Sequence, residues 1–179
     1  MKKLLSLLFV LGALIAISCE SSKGKSTSNS SEDEIITLVK EVEKTLPTLL
    51  NEEWSVFDIS MERKTIELSL KFYKSIEEFY NDSEWDISVE EKAQYRKIMM
   101  DDMRDNMIYY FMVGYEEALE DKGETKAKPF MLAIGPLLKA MVRNEYDLSL
   151  KIYDIDGLQE TFDYTSEELE RGVLGIGRN

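Results

Sequence analysis

A chain of 179 residues, 44% of them apolar, can fill one packed core, and its formal charge of −13 is the wrong sign for nucleic acid, where Lys and Arg must neutralise phosphates. With no histidine and one cysteine it lacks imidazole acid–base chemistry, Cys–His nucleophiles, Cys/His zinc sites and any internal disulfide. Anionic lipid headgroups are poor partners for the same reason of sign.

The chain opens with Lys2 and Lys3 and then a nearly unbroken apolar run over 4–17, the layout of a secretion signal and too short to span a bilayer comfortably. The run ends Ala16-Ile17-Ser18-Cys19. This ending resembles the lipobox of bacterial lipoproteins, in which a small residue precedes a cysteine that is diacylated and becomes the first residue of the mature protein. Ala16 stands where that family often has Leu. The resemblance covers residues 1–19 only. It implies a signal peptide over 1–18, acyl chains such as palmitate on Cys19, the membrane as a partner through that lipid, and a place in the bacterial cell envelope. Residues 20–31 carry no apolar side chain, so 19–31 is expected to be a flexible tether. Gly24-Lys25-Ser26 has the ending of a P-loop, but Cys19 stands at that motif's first glycine and no strand precedes it.

One domain is expected over 32–179. Ser31 and Glu34 are spaced as a capping box, and Ile35, Leu38, Val39, Val42, Leu46 and Leu49 recur at helical spacing, so a first helix is predicted to about residue 50, with Pro47 in its last turn. Residues 55–61 alternate, with Phe57, Ile59 and Met61 on one side, and Glu62-Arg63-Lys64 turns into a strand over 65–73. That strand sends Ile66, Leu68, Leu70 and Phe72 to one face and Glu67, Ser69, Lys71 and Tyr73 to the other. A helical turn at 75–80 and a loop around Trp85 follow. Ser88 and Glu91 open a long helix to about residue 120, near Gly123, with Tyr95, Met99, Met103 and Met107 on one face. Its stretch 107–113 is apolar all round, which predicts a buried central helix. A further helix is expected over 129–142, interrupted at Gly135-Pro136. A second hairpin pairs 145–153 with 158–164 across Asp154-Ile155-Asp156-Gly157, where Asp-Gly is a strong turn signal. Thr165 and Glu168 cap a short last helix, and 172–179 trails off.

The strand 68–73, Leu-Ser-Leu-Lys-Phe-Tyr, returns at 148–153 as Leu-Ser-Leu-Lys-Ile-Tyr. The echo suggests an internal repeat and an α+β fold: two hairpins forming a four-stranded antiparallel sheet, helices packed on one face, in the order α-β-β-α-α-β-β-α. Its outward residues Lys71, Tyr73, Lys151 and Tyr153 then share a face, two cations and two phenols on an acidic chain, and form the candidate binding surface. The competing reading has the lysines solvate the sheet and pair with Glu67, Glu145 and Asp147.

Other constellations carry less. The nine methionines offer thioethers to Cu(I) but fit core packing better, and Asp154-x-Asp156-Gly157 lacks the first ligand of a calcium loop because Ile152 stands there. The acids Asp101, Asp102 and Asp105, and Glu116, Glu117 and Glu120, read as solvated helix faces. Glu160 falls in phase with Leu158, Phe162 and Tyr164 on the apolar side of its strand, as an edge strand permits. No catalytic set, metal or cofactor is expected. The function expected is a non-enzymatic binding or structural module anchored in the envelope, with a protein or glycan partner. The alternative is an envelope hydrolase working through carboxylates or Ser, Lys or Tyr.

Overall fold

The computed structural model describes residues 27–75, 88–120 and 125–174, apart from the side chains at 27–29, 89–93, 95, 96 and 99. The expected signal segment with Cys19, the turn and loop over 76–87, Gly123 and residues 175–179 lie outside the described residues. A compact unit runs from Ser31 to Asn179.

Helix α1 spans Thr27–Glu43 and buries Ile35 and Val42 completely, with Leu38 and Val39 packed beside them. It starts upstream of the cap expected at Ser31, so Glu34 does not reach back to a helix end. Its carboxylate accepts from Arg143 Nη2 at 2.5 Å and from Asn144 Nδ2 at 3.3 Å, tying α1 to a later helix. The helix also stops earlier than its periodicity suggests. Thr45 N–H closes the last turn on the Val42 carbonyl at 2.9 Å, and Pro47 has no N–H with which to continue it.

A two-residue strand follows, β1 (Thr48–Leu49), too short to show a period in sequence. With β2 (Trp54–Glu62), β3 (Thr65–Phe72), β4 (Asp147–Tyr153) and β5 (Gln159–Tyr164) it forms a five-stranded sheet in the order β1-β2-β3-β4-β5. Both expected hairpins are present, as β2–β3 and β4–β5. The antiparallel four-stranded sheet is not: β3 and β4 lie side by side and parallel, so the sheet is mixed. Two helices among the described residues lie between β3 and β4, and a crossover of that length brings the chain back to the end from which β3 started. The echo strands are therefore neighbours. They pair with Leu68 opposite Leu150 and Leu70 opposite Ile152, slipped by two residues from the sequence match. An even slip leaves each side chain on its expected face.

The inner face is closed by Ile66, Leu68, Leu70, Phe72, Leu148, Leu150, Ile152, Phe162 and Tyr164, all buried. Glu160 lies on this face opposite Ile152, half-buried, and β5 is an edge strand. Strand β2 departs from the alternation. Val56 pairs with Leu70 and Asp58 with Ser69, so Phe57 is the extra residue of a β-bulge; Val56 and Ile59 face inward while Phe57 is 43% exposed.

Helix α2 (Val89–Leu119) and helix α3 (Lys128–Asn144) pack with α1 and α4 (Ser166–Leu174) on the inner face, in one core. The centre of α2 is not buried all round, as 107–113 suggested. Ile108, Phe111 and Met112 face the core, but Tyr109 and Tyr110 are exposed, because a helix lying on a sheet offers it one stripe only and tyrosine keeps its hydroxyl in water. Phe111 meets Phe130 of α3 edge-on at 5.9 Å. Helix α3 runs unbroken through Gly135-Pro136. Gly135 is required for approach rather than for a break, since a Cβ there would lie 2.2 Å from the Tyr115 ring of α2. Helix α4 starts as expected: Thr165 N–H donates to Glu168 Oε2 at 2.9 Å, and Glu168 N–H donates back to Thr165 Oγ1 at 3.3 Å. It continues to Leu174, past the residue at which the chain was expected to trail off, because Gly172 packs against Ile108.

Candidate outer-face binding site

The pairing of the strands dictates what the outer face shows. Directly opposed residues share a face, so one row crosses the sheet as Leu49, Ser55, Lys71, Tyr153 and Gln159. The next is Asp58, Ser69, Lys151 and Thr161, followed by Ser60, Glu67, Ser149 and Asp163, then Glu62, Thr65 and Asp147. Tyr73 lies just beyond β3, where its N–H donates to the Glu53 carbonyl at 2.8 Å. The four expected residues thus stand on one face. Rows are not uniform: acids fill the end near the β2–β3 turn, and the opposite end, where β3 and β4 finish, carries the aromatic rings.

The bulge adds Phe57 to that aromatic end. Phe57 on β2 and Tyr153 on β4 have ring centroids 5.8 Å apart, although two strands separated by a third stand about 10 Å apart. The rings therefore lean toward each other over β3, and Ser69 between them is buried. Tyr73 is fixed from below, its hydroxyl 3.0 Å from Ser55 Oγ, and Lys71 Nζ lies 5.5 Å from its ring centroid.

The two lysines differ. Lys151 Nζ contacts Glu67 Oε2 at 2.5 Å across the parallel pair, and that hydrogen-bonded carboxylate holds its ammonium above the ordinary lysine range. Lys151 is thus occupied by the pairing that the competing reading anticipated. Lys71 is exposed and makes no ion pair among the described residues. Phe57, Lys71, Tyr73 and Tyr153 thus cluster on the outer face, with Lys151 held by Glu67 beside them. Reading the sequence alone missed Phe57, although Val56-Phe57 interrupts the alternation with two adjacent apolar residues, the mark of a bulge.

The remaining candidates are explained locally. Asp154 is buried, and its Oδ1 accepts from Asp156 N–H at 2.9 Å and Leu158 N–H at 2.7 Å, which builds the hairpin turn together with Gly157 at φ 83°. Met112, Met131 and Met141 are buried among apolar side chains, and Met100, Met103 and Met107 pack against the same core. Asp101, Asp102, Asp105, Glu116, Glu117 and Glu120 are exposed along α2 and just past its end. Among the described residues no three acids gather as a metal would require. On the helical side, an apolar cleft of about 290 Å³ lies between α2 and the start of β2, lined by Trp54, Leu70, Met103, Met107 and Tyr110. No helix among the described residues is long and apolar enough to cross a membrane.

Compared with protein-family models, curated proteins and solved structures, the chain matches none.

Proposed function

We propose that this chain is a lipid-anchored, non-enzymatic binding module of the bacterial envelope, tethered through Cys19 and working through the outer face of its sheet. The lipobox-like ending Ala16-Ile17-Ser18-Cys19, holding the chain's one cysteine, supports the anchor. A single observation carries the binding role: a bulge turns Phe57 out of the core to meet Tyr153 beside Lys71 and Tyr73. Leaving a phenylalanine 43% exposed forgoes about 1 kcal/mol of burial, and bulges of this kind re-aim side chains at working surfaces. Clustered rings are where binding energy concentrates in interfaces.

The test is a joint replacement of Phe57, Lys71, Tyr73 and Tyr153 by Ser. The variant should keep the wild-type circular dichroism spectrum and lose the proteins or polysaccharides that the wild type captures from envelope extracts. A captured set unchanged in identity and amount would remove the outer face from consideration.

A further inference from the structure

The geometry points to a carboxylate-bearing glycan as the ligand of the outer face, its carboxylate on Lys71 Nζ and its sugar rings on Phe57, Tyr73 and Tyr153. This rests on the binding role proposed above and adds the ligand's chemistry.

Three observations select that class. The first is size. The aromatic end carries its rings on β2, β3 and β4 over about three side-chain rows, roughly 10 Å by 20 Å or about 200 Å² by ordinary strand dimensions. A stable protein–protein interface covers about 800 Å² on each partner, so a protein would have to lie over the acidic rows as well, whereas a few sugar units fit within the rings. The second is charge. Lys71 is a cation without an ion pair among the described residues, on a chain of formal charge −13, and the nearest outer-face lysine, Lys151, is already held by Glu67. One carboxylate per binding register satisfies Lys71, while a densely anionic polymer would meet repulsion from Asp58 and Glu67 nearby. The third is the kind of surface. The C–H face of a sugar stacks on exposed rings, and Gln159, exposed in the same row as Lys71 and Tyr153, offers its amide to sugar hydroxyls. An open sheet face suits an extended chain lying across it.

The experiment uses the protein purified in detergent, titrated calorimetrically with aldotetrauronic acid, a xylotriose bearing a single glucuronate, and, as the neutral counterpart, xylotetraose. Aldotetrauronic acid should bind at least tenfold more tightly than xylotetraose, and the preference should shrink with added salt. Lys71→Gln should abolish the preference while leaving the weak neutral binding in place. Tyr153→Ala should weaken both sugars, and Lys71→Arg should restore the preference. Absence of binding to either sugar, equal binding of the two, or binding indifferent to Lys71→Gln would overturn the proposal. If a short peptide with one glutamate among serines bound through Lys71 and Tyr153 while aldotetrauronic acid did not, the glycan would be wrong and the outer-face reading would stand. If the fourfold Ser variant also retained every captured envelope component, both would fall.

Discussion

Glu168 shows how much one carboxylate can organise. It caps α4 through Thr165 and receives Arg104 Nη2 at 2.7 Å, while Arg104 also donates to the Asp163 carbonyl at 2.8 Å and lies 5.1 Å from the Tyr164 ring centroid. The Tyr164 hydroxyl donates back to the Arg104 carbonyl at 2.6 Å, and burial holds its phenol well above the ordinary range. Arg104, with help from the Thr165 N–H, lowers the Glu168 carboxyl from 4.5 to about 2. A carboxyl depressed on folding stabilises the native state fully above its unfolded value, and that stability is lost as pH falls through the folded one. Glu168→Ala should therefore cost about 1–2 kcal/mol at pH 7, from the cap and a half-exposed ion pair. Glu168→Gln, which keeps the capping geometry, should cost less, and its deficit against the wild type should fade between pH 4.5 and 2. Urea midpoints across that range provide the check; a deficit constant with pH would mean that the charge contributes nothing. The Thr165 and Glu168 pairing is readable three residues apart in sequence, but Arg104 is remote from both, and only the packing of α2 against α4 brings it there.

At the scale of elements, two contrasts test the packing. Leu70 and Leu150 are both fully buried on the inner face, so Asp at either position buries an unpaired charge and should cost several kcal/mol, whereas Lys71→Ala should stay within about half a kcal/mol. Denaturant midpoints in the reverse order would mean that the strand phase is wrong. The two glycines at the α2–α3 crossing should also part company. A Cβ at Gly135 meets the Tyr115 ring at 2.2 Å, so Gly135→Ala should destabilise by about 1–3 kcal/mol despite alanine's better helix propensity. At Gly114 the Cβ would meet only the Met131 thioether, the sulfur at 2.8 Å, and that flexible side chain can turn aside. Gly114→Ala should be neutral or slightly stabilising in thermal melts, and equal losses at both sites would refute the crossing. In sequence Gly135-Pro136 reads as a helix break, because the ring that needs the glycine lies twenty residues away on another helix.

For the whole molecule, the anchor and the face form one expectation: a tethered domain presenting an open sheet. Cys19→Ala should abolish incorporation of labelled palmitate and release the protein from the membrane fraction, since a diacyl anchor is stable where a single chain is marginal. Labelled fatty acid on the Cys19→Ala chain would reject that reading. Circular dichroism of the folded domain should be unchanged by the same substitution, because the core among the described residues is built from the compact unit.

What the sequence determined by itself is whatever depends on near neighbours along the chain. The faces of β3 and β4, the Asp154–Gly157 turn, the cap of α4 and the placing of Lys71 with Tyr73, and of Lys151 with Tyr153, on the polar side of each strand all follow from a period of two or from turn and cap chemistry within a few residues. Tertiary structure decided the rest. A period of two is the same for parallel and antiparallel partners, so only the crossover through α2 and α3 makes β3 and β4 parallel neighbours and places Glu67 against Lys151. The bulge at Phe57 depends on the register of β2 against β3, and with it the turning of the Phe57 ring toward solvent. Those pairings join residues far apart in the chain, and no local pattern records them.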